Sequence, residues 1–191
     1  MNENYNKNLA NNVKSILSEI GENSEREGLL KTPERVAKSM TFLTKGYKEN
    51  PSKVLKSAMF AENYSQMVLV KDIELYSLCE HHMLPFFGKA HIAYIPLINQ
   101  EIIGLSKLNR IVEHYARRGA IQENLTVRIH DAINKIVENN KGVAVMIEAS
   151  HNCVQCRGVG HQGTSMKTSK LTGEFIESNK TRNEFYEFVK L

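Results

Sequence analysis

Tryptophan is absent from this 191-residue chain, aromatic residues make up 7% of it, and cysteine occurs three times, at Cys79, Cys153 and Cys156. An odd, small cysteine count is a poor disulfide framework, and a chain this long can bury enough surface to fold without staples. No stretch approaches the ~18 consecutive apolar residues of a membrane span, so no membrane partner is expected. The opening residues show no apolar run after a basic start, so no secretory signal is expected. The thiols are therefore read as reduced and the protein as cytoplasmic. The scarcity of aromatics and the lack of a dense basic run with interleaved rings weigh against a nucleic-acid platform. What is present is ordinary globular composition, 41% hydrophobic and 24% charged, with a net charge of +4 that suits a small anionic ligand.

Along the chain the Asn-rich first dozen residues are expected to fray. Leu9, Val13, Ile16, Leu17 and Ile20 recur at helical spacing before Gly21. Thr32-Pro33 reads as the capped start of a second helix with Val36, Met40 and Leu43 as its stripe. Residues 47–66 read as a connecting loop with weak helical tendency. Residues 67–70 and 73–78 read as one strand bent around Lys71-Asp72, and residues 88–96 as a second. Asn99-Gln100 marks a turn. Leu108, Ile111, Val112 and Tyr115 form one helical stripe, and Leu125, Ile129, Ala132, Ile133 and Ile136 another. Residues 143–149 read as a buried strand and 164–175 as a Thr/Ser-rich strand. A short terminal helix follows, with Thr181 and Glu184 spaced as a capping box. Strand, strand, helix, helix, strand, strand is not the alternation of parallel crossover units, so the fold class is α+β with an antiparallel sheet. Residues 1–66 are expected to be an N-terminal helical extension and residues 67–191 the main α+β domain, closed by the short C-terminal helix.

The densest chemical cluster is Cys79-Glu80-His81-His82, at a strand-to-loop corner. The second is His151-Asn152-Cys153; if the preceding strand continues, His151 and Cys153 share a face. Cys79, His82 and Cys153 make three ligands, and a catalytic zinc site keeps a fourth position open. His81 and His151 remain beside it as proton carriers. Cys156 competes for the fourth place, because Cys153-x-x-Cys156 has zinc spacing; in a continuing strand it faces away. His91, His114, His130 and His161 are assigned surface or structural roles. Gly158-Val-Gly160-His-Gln-Gly163 matches a dinucleotide fingerprint literally, but strand-forming residues follow it and no phosphate-loop Lys stands at Thr164, so the glycines are read as a turn or bulge. Gly104-Leu105-Ser106-Lys107, with Arg110 one turn on, is a candidate anion seat at a helix start. Arg157, Lys167 and Lys170 lie in a stretch without acidic residues. Gln122-Glu123 opens the next helix, where a carboxylate can accept paired donors from a guanine-type edge.

Cys79-Glu80-His81-His82, Gly104 to Lys107 with Arg110, Gln122-Glu123, and His151-x-Cys153-x-x-x-Arg157-Gly158 together resemble GTP cyclohydrolase I, over a span from about Thr32 to the C-terminus. The resemblance implies the tunnelling fold, a four-stranded antiparallel sheet with two helices on one face. It implies zinc on Cys79, His82 and Cys153 with the fourth position open to water. The implied reaction is hydrolysis of GTP at guanine C8, formate release and rearrangement to 7,8-dihydroneopterin triphosphate, the first step of tetrahydrofolate and pterin biosynthesis. By the same resemblance His151 protonates the guanine imidazole and His81 is a second proton carrier or substrate contact. Glu123 with Gln122 anchors guanine, Ser106 contacts ribose or phosphate, and Lys107, Arg110, Arg157 and Lys38 hold the triphosphate. A toroidal homodecamer with sites between subunits is also implied. Gln155-Cys156 and the glycine-rich stretch after Arg157 depart from the family pattern and leave the local loop geometry open. The alternatives are a zinc-stabilised nucleic-acid module and a related tunnelling-fold enzyme, such as a nitrile reductase, with one activated cysteine and no metal.

Overall fold

The computed structural model describes residues 5–50, 59–99, 101–137 and 139–191. Residues 1–4 of the fraying stretch, residues 51–58 of the connecting loop and Gln100 of the expected turn lie outside the described residues. The chain forms two compact units, Met1–Lys45 and Gly46–Leu191.

In the first unit α1 (Lys7–Glu19) is capped by Asn6, whose side chain accepts the Leu9 N–H at 3.0 Å. The expected apolar stripe is only partly buried: Val13 is covered, whereas Ile16 and Ile20 are exposed. In α2 (Thr32–Leu43) the cap position falls on Lys31, and Thr32 and Pro33 occupy the first turn without a side-chain cap. The proline still stands where its missing N–H costs nothing.

The second unit contains β1 (Met59–Ala61), β2 (Val68–Cys79), β3 (Pro85–Pro96), β4 (Glu101–Ile103), α3 (Leu105–Ala116), β5 (Gly119–Ala120), α4 (Gln122–Ile136), β6 (Asn140–His151), α5 (Asn152–Gln155), β7 (Met166–Leu171), α6 (Glu174–Glu177) and α7 (Asn179–Lys190). The main sheet has the order β5-β2-β3-β6-β7. Strands β2, β3, β6 and β7 pair antiparallel throughout. This is the expected α+β class, with its four longer main-sheet strands antiparallel. The bend in β2 is a register shift between Val70 and Ile73, with Asp72 at φ 59.

Alternate residues of the strands set the layers. Ile73, Leu75, Ile92, Tyr94, Val143, Val145 and Ile147 face Leu108, Ile111, Val112, Leu125, Ile129 and Ile133 of α3 and α4 in one core. Each such side chain contributes about 1.5–3 kcal/mol on full burial. Ala93, Ile95 and Ala144, on the opposite face, meet Phe175 and Phe185 of α6 and α7.

Several local expectations change. β1 pairs with β4 within a stretch read as loop and turn, through Phe60 opposite Ile102. β5 adds a short parallel strand beside Leu78 and Cys79. β7 stops at Leu171, and just beyond it Gly173, at φ 54, approaches Lys141 so closely that a Cβ would lie 2.0 Å from its carbonyl oxygen. The cap of α7 is Ser178, whose hydroxyl accepts the Thr181 N–H at 3.2 Å, so Thr181 lies inside the helix.

Candidate active site

Strand β2 ends at Cys79 in a tight turn. The Cys79 N–H donates to the Leu84 carbonyl at 2.8 Å, the Met83 N–H donates to the Cys79 carbonyl at 2.8 Å, and Met83 adopts φ 54. This turn swings His82 back until its Nδ1 is 3.6 Å from Cys79 Sγ. Pairing of Leu78 with Pro85 and of Phe86 with His151 brings the end of β6 to the same end of the sheet. The single turn α5 then delivers Cys153. One ligand atom from each of Cys79, His82 and Cys153 lies within 4.8 Å of the others.

The strand does not continue to Cys153 as the same-face expectation required; it gives way to α5 after His151. Cys156 nevertheless stays out of the group, because it is exposed and its thiol donates to the Asn152 carbonyl at 2.7 Å. The donor set, two sulfurs and one imidazole nitrogen, fits a zinc ion. The electrostatics agree. Burial pushes the Cys153 thiol up, the hydrogen bond and charge of Cys79 add to this, and the Arg157 guanidinium opposes it. A divalent cation would offset the penalty on the Cys153 thiolate by binding it directly.

His151 lies beside this group. Its ring stacks on Phe86 with centroids 4.5 Å apart and planes within 5°. Its Nε2 donates to Gln122 Oε1 at 2.8 Å. Burial holds its pKa below the ordinary value, and the nearby Glu123 carboxylate opposes that shift. Glu123 itself is exposed in the first turn of α4, whereas Gln122 is 1% exposed. The placement follows from β5, which lies beside Cys79 and leads straight into α4. His81 is exposed, its ring edge-on to His82 at 6.2 Å.

Ser106, Lys107 and Arg110 fall in the first turns of α3; Ser106 and Arg110 are exposed and Lys107 is buried. Arg157 is exposed just after α5. Lys38 belongs to the first unit, where it pairs with Glu34 and sits 5.6 Å over the Tyr5 ring. The glycine-rich stretch opens no helix: Gly158 and Gly160 both take φ 65 and β7 follows. His91, His114 and His130 are buried with partners. His91 Nδ1 accepts the Asp72 N–H at 3.3 Å, His114 lies between Glu49 and Arg118, and His130 between Asp131 and Thr172. Three residues of the site had no signal in the sequence. Phe86, Thr126 and Thr168 matter only through cross-strand register and helix packing. Among the described residues no helix is long and apolar enough to cross a membrane.

An α+β unit that gathers a Cys–His–Cys group, a stacked histidine and a carboxylate at one end of an antiparallel sheet is built as an enzyme with a candidate metal centre. The model of the GTP cyclohydrolase I family matches residues 9–190. GTP cyclohydrolase 1 of Chlorobaculum tepidum is 56% identical over 177 residues, 93% of this chain and 78% of that protein. GTP cyclohydrolase 1 of Parabacteroides distasonis is 57% identical over 183 residues, 95% of this chain and 91% of that protein. A crystal structure of the archaeosine synthase QueF-Like in the apo form aligns with a TM-score of 0.46 at 18% identity, covering 56% of this chain and 93% of that one. The chain belongs to the GTP cyclohydrolase I family.

Proposed function

We propose that this enzyme hydrolyses GTP at guanine C8, releases formate and forms 7,8-dihydroneopterin triphosphate, at the entry to tetrahydrofolate and pterin biosynthesis. The observation that carries the reading is the meeting of Cys79, His82 and Cys153 within 4.8 Å, next to a histidine already held by stacking and a hydrogen bond. Cys79, His82 and Cys153 would hold a zinc ion, which would supply the Lewis acidity that makes water nucleophilic near neutral pH. His151 moves a proton at the guanine imidazole, which makes C8 electrophilic, and His81 is the second proton carrier or substrate contact. The Glu123 carboxylate accepts donors from the guanine edge, with Gln122 beside it. Ser106 contacts ribose or phosphate. Lys107, Arg110, Arg157 and Lys38 bind the triphosphate, for which bidentate guanidinium groups are suited.

The reading includes a homo-oligomer, a toroidal decamer with sites between subunits, working in the cytoplasm. Two features of the single chain support assembly. β7 is an edge strand, and exposed edges invite pairing. Ile16, Ile20, Leu30 and Phe42 are large apolar residues left exposed.

The test is incubation of zinc-loaded protein with GTP, with detection of formate and, after oxidation and dephosphorylation, of fluorescent neopterin. Both products are expected. Absence of formate from zinc-replete, folded protein would overturn the proposal.

A further inference from the structure

Gln122 is buried to 1% exposure at the first position of α4, and its side-chain amide is held from several directions. Its Nε2 donates toward the Ile147 carbonyl at 3.1 Å, the Met166 carbonyl at 3.0 Å and Thr168 Oγ1 at 3.1 Å. The Thr126 hydroxyl lies 2.8 Å from the Gln122 carbonyl and 2.7 Å from Thr168 Oγ1. One assignment is consistent throughout: Thr168 donates to Thr126, Thr126 donates to the Gln122 carbonyl, and the two protons of the Gln122 amide nitrogen are shared among Thr168 and the two strand carbonyls.

This circuit settles which end of the amide faces His151. Turning the amide over would place an oxygen against the carbonyls of Ile147 and Met166, neither of which has a proton to give. The oxygen therefore points at His151, 2.8 Å from Nε2. An amide oxygen only accepts, so the neutral imidazole must carry its proton on Nε2 and its lone pair on Nδ1.

From this geometry we infer that Gln122 is a positioning residue: it fixes the tautomer of His151, so that His151 exchanges protons with the substrate through Nδ1. The inference rests on His151 being the proton carrier of the proposed reaction. When His151 acts as acid, the N–H bond at Nδ1 breaks, the proton passes to the substrate ring nitrogen, and the imidazole returns to the neutral form with Nε2–H still donating to Gln122. The reverse transfer refills Nδ1. Gln122 thus touches neither substrate nor metal in this role, although its place beside Glu123 suggested a guanine contact.

The first measurement needs no substitution at Gln122. Zinc-loaded protein labelled with 15N-histidine is studied at pH 8 by magic-angle-spinning NMR, and the His151 signals are identified by their loss in His151→Ala. A proton on Nε2 and a bare Nδ1 are expected; a proton on Nδ1 in the unsubstituted protein overturns the inference. The second measurement uses Gln122→Met. Zinc content should be kept, the two tautomers should mix, and kcat for formate release should fall about 10- to 100-fold, the usual scale for a lost outer partner, with KM for GTP little changed. An unchanged tautomer, or a raised KM with kcat kept, overturns it. If unsubstituted protein releases no formate from GTP, the function proposed above falls, while the spectrum still decides the tautomer.

Discussion

Phe86 and His151 are cross-strand partners whose rings lie face to face, with centroids 4.5 Å apart and planes within 5°. Phe86 is fully buried, so the platform under His151 cannot tilt without moving the core. Phe86→Leu keeps an apolar side chain but removes the flat surface. On the proposed function we expect zinc content to be retained and kcat to fall about 10- to 100-fold, because small errors in the placement of the proposed proton carrier cost that much. Metal analysis and steady-state kinetics on the same preparation check both halves.

The ligand group makes a clean three-way prediction. His82→Ala and Cys153→Ala should each lose zinc and turnover together. Cys156→Ser should keep about one zinc per chain, because its thiol is turned to the Asn152 carbonyl. Elemental analysis after gel filtration reads all three. Loss of metal from Cys156→Ser would show a closed site with four protein ligands.

Three buried histidines away from the ligand group predict loss of stability in weak acid. Burial lowers the pKa of His91, His114 and His130 below the ordinary value of 6.5. Around them stand Lys71, Asp72, Lys89 and Glu148 for His91, Glu49 and Arg118 for His114, and Asp131 and Lys170 for His130. In each case the carboxylates only partly offset desolvation. The unfolded chain therefore takes up protons near 6.5, while the folded chain does so only at lower pH. Their contribution is fully present above the unfolded value and is lost as pH falls through the folded values. Melting temperature should drop as pH is lowered from 7.5 to about 5.5, and His114→Asn should flatten that slope. An equal slope in the variant would remove His114 from the effect.

Gly88 is required by close packing between strands. A Cβ there would lie 1.9 Å from the Glu148 carbonyl oxygen and 2.6 Å from the Ala149 Cα. Gly88→Ala must push β3 and β6 apart just before they reach Phe86 and His151. We expect a loss of about 1–3 kcal/mol in urea unfolding, together with lower activity at temperatures where the variant is still folded.

Much of this architecture was legible from residue types and spacing. The stripes of α3 and α4 are strong, regular patterns, and a regular stripe over several turns names its own buried face. Cys79 and His82 are close in sequence, and His151 stands two residues before Cys153, so each half of the candidate metal group could be read locally. Short elements were harder. β1, β4 and β5 are two or three residues long, and segments so short have no period to detect. Their existence depends on a partner strand elsewhere in the chain. The cap at Ser178 in place of Thr181 is a shift of a few residues, decided by where α6 ends rather than by the capping chemistry itself.

Residue order and chemistry alone were sufficient to nominate Cys79, His82 and Cys153 as a candidate ligand group, to give the α+β class, and to leave Cys156 as a competitor for a fourth place. They were not sufficient to place Cys156: the expected strand is a helical turn, and the thiol is turned to the Asn152 carbonyl by a hydrogen bond. Nor did they separate Gln122 from Glu123, adjacent residues that burial divides into a locked amide and an exposed carboxylate. That division comes from long-range packing. β6 and β7 supply the carbonyls and the hydroxyl that hold Gln122, β3 supplies the ring under His151, and none of these partners is near position 122 in sequence.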